Sequence, residues 1–261
     1  YYLDQNIELT SSSPPPVLRE SNSILISNNA HSISWQDEIG HQIEINRSFS
    51  EQLTIQSNLS IAYNHLENKT NIIDIIRMDD KQGIYKQYPF RQFYIEASGW
   101  ILNDAMYYKL GLDQFDDIKP ISSSYEEISA FTIPSMFSYN LDKNNSLTIY
   151  LEYQKRDVHT YLSGNLTSQT KYIDKYFSLT HNFINKISLT LFYREEEFMD
   201  VVDFNKISTW EGIDLTYKLS SSIQFSIFRG SQKGGLVCAN GICAVQPGFD
   251  DGYKVTIRSI F

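Results

Sequence analysis

The chain has 261 residues, 41% of them hydrophobic and 20% charged, with 31 acidic against 22 basic residues and a net charge of −9. That acidic balance argues against a nucleic-acid partner, and no stretch approaches the ~18 consecutive apolar residues of a transmembrane helix. The 18 Tyr, 15 Phe and 3 Trp, beside only 12 Gly and 7 Pro, favour strands over helices.

The first residues, YYLDQNIELT, read as a strand over 1–9 with neither initiator Met nor signal peptide ahead of it. The expectation is a processed product or a fragment of something longer. After a long break over 10–39, strands are predicted at 40–48 and 52–64. In the second, Leu53, Ile55, Leu59, Ile61 and Tyr63 share one register, and Gln52, Thr54, Gln56, Asn58, Ser60 and Asn64 the other. Such a strand has an apolar face and a polar face. Further strands are expected at 91–101, 104–113, 127–140, 146–156, 171–182, 186–196, 207–219, 221–230 and 252–261. SLTIYLEYQ, KISLTLFYR and SIQFSIF repeat the same two-faced pattern. Pro134 is awkward inside its strand, because proline removes a ladder donor, and it is read as a bulge.

Short and long breaks alternate. The short ones fall near 47–51, 101–104, 140–146, 183–186 and 218–222. The long ones run over 65–89, 114–126, 156–170, 196–206 and 231–251. Tight turns at one end and long loops at the other, joining strands of about ten residues, are the pattern of an outer-membrane barrel. The fold class expected is therefore all-β: an antiparallel up-and-down transmembrane β-barrel of about twelve strands, forming a single domain over 1–261. A soluble β-sandwich also alternates and is the competing reading.

In the barrel reading the apolar register meets lipid and the polar register lines the lumen. Glu96, Glu152, Arg156, Arg194, Lys254 and Arg258 are lumen-facing candidates. Their mixed signs suit an aqueous pore or an internally paired, closed barrel. At the C-terminus, Tyr253, Val255, Ile257 and Phe261 share one register and resemble the terminal insertion signal of outer-membrane barrels. Ser259 interrupts that apolar register.

Cys238 and Cys243 enclose the turn-forming dipeptide Asn240-Gly241. A tight turn there would bring the sulfurs together as a structural disulfide in an oxidising compartment. A metal site or a redox pair is the alternative, and a metal site would need further ligands. Acidic groups at Asp79-Asp80, Asp113 with Asp116-Asp117, Glu195-Glu196-Glu197, Asp200 with Asp203, and Asp250-Asp251 map mostly to the long loops. They read as a solvated outer surface, or as ligands for divalent cations without EF-hand spacing. Neither Gly-x-Ser-x-Gly nor His-Glu-x-x-His occurs, so an enzyme is not expected and no cofactor is assigned.

Two segments carry a family likeness. SPPPVLRESNSILIS followed by DEIGHQIEINRSF, and the tail FRGSQKGGLVCANGICAVQPGFDDGYKVTIRSIF, resemble matching segments of a family of Bacteroidota outer-membrane β-barrel proteins of unknown function. The most specific stretch is Gly230 to Cys243, which resembles that family's Gly-Gly-Leu-x-Cys-x-x-Gly-x-Cys signature. The departure is Val17, where the family has Thr. The resemblance implies a cell outer-membrane location in a Gram-negative bacterium and a chain that is the C-terminal part of a larger barrel. Contact with outer-membrane lipid and the barrel assembly machinery follows from the barrel reading. The functions expected are a porin-like channel or transport scaffold first, a surface binding or assembly protein with a closed lumen second, and an outer-membrane hydrolase last.

Overall fold

The computed structural model describes residues 23–27, 31, 38–64, 73, 88–121, 124–162, 165–184, 186–200, 206–220, 222–239 and 242–259. Side chains at 200, 236–239 and 242–246 lie outside that description, as do the strand expected over 1–9 and Phe261. Among the described residues a short helix, α1 (Ile24–Ser27), precedes thirteen strands. They are β1 (Glu38–Ser50), β2 (Leu53–Asn64), β3 (Phe90–Ile101), β4 (Met106–Ile121), β5 (Ser124–Asn140), β6 (Ser146–Leu162), β7 (Asn165–Phe183), β8 (Ile187–Asp200), β9 (Lys206–Lys218), β10 (Ile223–Gln232), β11 (Gly235–Ala239), β12 (Ile242–Gln246) and β13 (Phe249–Ser259).

Eleven strands form one antiparallel up-and-down sheet in the order β1 to β10, then β13. β11 and β12 pair separately as a small hairpin between β10 and β13. Within the described residues, β1 and β13 each have one neighbour, so the sheet is open at both edges. Each strand of the large sheet corresponds to one predicted from alternation. The short breaks are tight turns at 51–52, 102–105, 141–145, 184–186 and 219–222, all at one end.

The opposite end differs from expectation. Three of the predicted long loops are mostly strand: β4 runs to Ile121 and β5 starts at Ser124, β6 runs to Leu162 and β7 starts at Asn165, and β8 runs to Asp200. The 17 residues of β5, 17 of β6 and 19 of β7 exceed the roughly 9–11 that cross a bilayer. The pairing continues through polar partners, such as Glu127 opposite His159 and Asp157 opposite Lys171. With polar residues on both faces, these extensions lack the alternation that reveals a strand.

Pro134 is not a bulge. The register from Met106–Tyr139 to Ile121–Ser124 is unshifted, and only the Gly111–Pro134 and Leu112–Ile133 pairs drop from the ladder. Gly111 makes room for the ring. A Cβ at that position would stand 3.0 Å from Pro134 Cγ and 2.8 Å from the Tyr94 hydroxyl.

The sheet has two unlike faces. Leu110, Leu112, Phe131, Ile133, Leu151, Phe177, Leu191, Ile213, Leu215, Phe225 and Ile227 are exposed on one. Asn58, Ser60, Gln92, Glu96, Asp113, Thr132, Glu152, Gln154, Asp174, Ser178 and Arg194 are buried on the other. Ile61 departs from the pattern: it belongs to the outward register but is buried, flanked by His41 and Arg91. The inner face is concave. Lys233, just beyond β10, ion-pairs with Glu196 on β8 and reaches Asp174 on β7 at 4.0 Å. A flat sheet would hold β7 and β10 about 14 Å apart.

The register is also slanted. One row runs from Tyr253 through Arg229, Ile213, Leu191, Leu179, Ile149, Phe137 and Tyr108 to Gly99. It begins near the first residues of β13 and ends two residues before the short turn after β3. This stagger is the kind that tilted barrel strands require.

Two tight turns use a left-handed backbone at bulky residues. Ile184 follows β7 with φ of 50° and its side chain exposed. A β-branched residue is strained there, whereas glycine is not. Ile184→Gly is expected to stabilise the fold by about 1 kcal/mol, read as a rise in the denaturant midpoint. An unchanged or lower midpoint removes the strain argument.

Candidate functional site

All six lumen-facing candidates lie on the concave face. The cross-strand pairs Thr132–Gln154, Gln154–Asp174 and Asp174–Glu196 fix the parity of β5 to β8. That parity places Glu152, Arg156 and Arg194 on the same side. Glu96 sits on this face between Gln56 and Gly111. Lys254 and Arg258 follow from Phe228–Lys254 and Gln224–Arg258, and lie at the open edge strand, where they are exposed. Tyr253, Val255 and Ile257 point the opposite way at 70%, 69% and 66% exposure. They form one apolar outward stripe on β13.

The buried charges are paired. Arg194 donates two hydrogen bonds to Asp174, 2.9 and 2.7 Å long. Its guanidinium also lies 5.8 Å from the Trp210 ring. Arg156 pairs with Glu196 at 3.6 Å and covers the Tyr172 ring at 4.3 Å. Glu96 accepts from the Tyr94 hydroxyl at 2.8 Å and meets Lys109 at 3.4 Å. Amide donors add further bonds, Gln92 to the Asp113 carboxylate at 2.7 Å and Gln154 to the Thr132 hydroxyl at 2.8 Å. A low-dielectric interior tolerates such groups only when they are paired.

Glu152 has a different task. Its carboxylate accepts from the Ser23 hydroxyl at 2.9 Å, the Ile24 amide at 3.0 Å and the Leu25 amide at 2.8 Å. Ser23 caps α1, its Oγ accepting from the Ile26 amide at 3.2 Å. The first three amides of the helix, which have no partner within it, are thereby all satisfied. Gln154 donates to the Leu25 carbonyl at 3.2 Å, and Leu25 is fully buried. A segment from the break expected over 10–39 is thus seated inside the concave face.

A second anchor lies at the long-loop end. His31 Nδ1 is 3.0 Å from Asp117 and Nε2 is 3.3 Å from Glu38, and the ring stacks on Phe90 at 4.5 Å. Phe90 belongs to a small apolar cluster with Ala62, Phe115 and Ala130. Burial opposes the imidazolium, but the two carboxylates outweigh it and raise the His31 pKa from 6.5 to about 9. A raised folded-state value contributes stability that is complete below pH 6.5 and is lost as the pH passes through about 9. The stability gap between wild type and His31→Ala is therefore expected to narrow between pH 7 and pH 10. Denaturation at several pH values reads it, and a gap independent of pH contradicts the clamp.

Sequence reasoning missed Asp174, Lys233, His31 and α1. Asp174 shares the polar register of its strand, so parity alone could have found it. One turn of helix leaves no periodicity to read.

Cys238 and Cys243 stand directly opposite each other in the β11–β12 ladder. The Asn240-Gly241 turn lies outside the described residues. The acidic groups do not gather as loops: Asp113, Asp116 and Asp117 are in β4 and Glu195 to Glu197 in β8. Arg91 engages Asp116 at 2.6 Å and Lys175 engages Glu195 at 2.7 Å. Asp79, Asp80 and Asp203 lie outside the described residues. Among the described residues, no three His, Cys, Asp or Glu side chains converge to hold a metal ion.

Against protein-family models, curated proteins and solved structures, nothing matches this chain.

Proposed function

We propose that the chain is an integral outer-membrane β-barrel protein of a Gram-negative bacterium, a transport scaffold whose lumen is occupied at rest by α1 and Ser23. One observation carries this reading: the sheet is inside-out. Its buried face holds paired Arg, Asp, Glu, Gln and Asn, and its open face holds Leu, Ile and Phe. A soluble sheet buries its apolar face and wets its polar one. Lipid reverses that preference, and a spanning sheet then closes into a barrel because backbone groups find no partner in hydrocarbon. The slanted register and the outward stripe of β13 support the same reading. Contact with outer-membrane lipid and recognition by the barrel assembly machinery follow from it, and the resemblance of residues 230–243 to the Bacteroidota family is in keeping with it.

The first test is electrophoretic. A folded barrel stays compact in SDS and shifts mobility only on boiling. Identical mobility before and after boiling, in a protein soluble without detergent, overturns the proposal.

A second reading is favoured by the paired inner charges: a surface assembly protein whose lumen stays closed, with divalent cations at its acidic end. Conductance of the protein in planar bilayers separates the two. Unit currents support transport, and silence from folded protein, even after α1 is released, supports the closed form. An outer-membrane hydrolase is the weakest reading.

We also infer a disulfide between Cys238 and Cys243, supported by their opposed register. A thiol-reactive maleimide is expected to label the denatured protein only after reduction. Labelling without reductant counts against the cross-link.

A further inference from the structure

The concave face leaves one cavity of particular interest, about 310 Å³ in volume, between α1 and strands β7 to β10 and β13. That is the lower end of the range for small-molecule sites. A glycine row shapes its surroundings. Gly212, Gly230 and Gly252 are cross-strand neighbours on β9, β10 and β13. Aromatic rings occupy the space that side chains on Gly212 and Gly252 would take. A Cβ on Gly212 would fall 2.6 Å from the Phe228 ring and 2.8 Å from the Phe192 ring, and one on Gly252 2.6 Å from the Phe249 ring. Phe192 and Phe228 both line the cavity and lie nearly parallel, 5.7 Å apart at 20°. They offer a flat apolar surface.

The charges on the lining are unequal in availability. Arg194 and Lys233 are neutralised by Asp174 and Glu196. Asp214, whose carboxylate accepts from the Thr216 hydroxyl at 2.8 Å, flanks Phe228 on the side opposite Lys254. Lys254, beside Phe228 in the ladder, has no ion-pair partner among the described residues. A flat apolar surface next to an ammonium that makes no ion pair recognises a ring that carries an anion.

We propose that this cavity binds a small aromatic carboxylate, its ring against Phe192 and Phe228 and its carboxylate on Lys254. The inference does not depend on the membrane reading, since the cavity belongs to the fold itself.

The test is calorimetric titration of the folded, purified full chain with salicylate and with its neutral counterpart, 2-hydroxybenzyl alcohol. Saturable salicylate binding is expected, about tenfold weaker in Lys254→Gln, with the alcohol weak in both proteins. Lys254 is exposed and unpaired, so Lys254→Gln is expected to leave the fold intact, checked by circular dichroism. Phe228→Leu, which keeps the charge and removes the ring, is expected to weaken both ligands. No saturable salicylate binding, equal binding of acid and alcohol, or indifference to Lys254→Gln overturns the proposal.

Discussion

Leu191→Arg is expected to lower the folding free energy in a lipid bilayer by about 2–4 kcal/mol. Leu191 sits mid-strand in β8, 45% exposed, between Ile213 on β9 and Leu179 on β7. In water an exposed leucine on a sheet is a neutral place for a charge, and the substitution would move stability by no more than about 0.5 kcal/mol. In hydrocarbon the guanidinium loses its hydration near the midplane, where the cost is greatest. Reversible urea unfolding from lipid vesicles measures the difference. A near-zero effect would sink the membrane assignment, because the outward apolar face is its main support. Ser188→Arg, on the inner register near the short turns, should be far milder in the same assay.

Glu152→Ala is expected to release α1 from the concave face, weakening its docking by about 3–5 kcal/mol. Three donors converge on this one carboxylate, two of them backbone amides that have no partner within the helix. Hydrogen bonds to a buried charged group carry about 1.5–3 kcal/mol each, and donors left behind without water cost more. Glu152→Gln tests the same point without making a cavity. Its amide presents one acceptor oxygen where the carboxylate presents two, so part of the loss should remain. Release is read as faster proteolysis near residues 23–31 and as new unit currents in a planar bilayer. A variant that stays protected and silent would show that α1 is held by something other than Glu152.

Much of this architecture was legible in the alternation of single residues. Leu147, Ile149 and Leu151 against Thr148, Tyr150 and Glu152 gave both the strand and its faces. Parity alone then put Glu96, Arg156, Arg194 and Lys254 on one side, because a strand's period is two. The reading failed where that contrast fades. In 165–170 both registers are largely polar, and in 157–162 Val158 and Leu162 fall in the register that is polar up to Arg156, so hydrogen-bonded strand reads as loop. Pro134 misled for a different reason. Its tolerance depends on Gly111 across the ladder, a pairing invisible until register is known. The site was legible in charge but not in partnership. That Glu152 holds a helix more than a hundred residues away is a tertiary fact with no local signature.

The eleven-strand count carries a constraint of parity. Successive antiparallel strands reverse direction, so the first and the eleventh, β1 and β13, point the same way. Joining them directly would create a parallel seam in an otherwise antiparallel ring, whereas bacterial single-chain barrels have even strand numbers. If the sheet closes into the proposed barrel, an antiparallel seal takes an odd number of additional strands, each end of the insert running opposite to its neighbour. The two rims of the opening are also chemically alike: Ile43 and Ile45 on one, Val255 and Ile257 on the other, all outward and all more than 60% exposed. A single strand with apolar residues two apart, threaded from the tight-turn end, satisfies both rims at once.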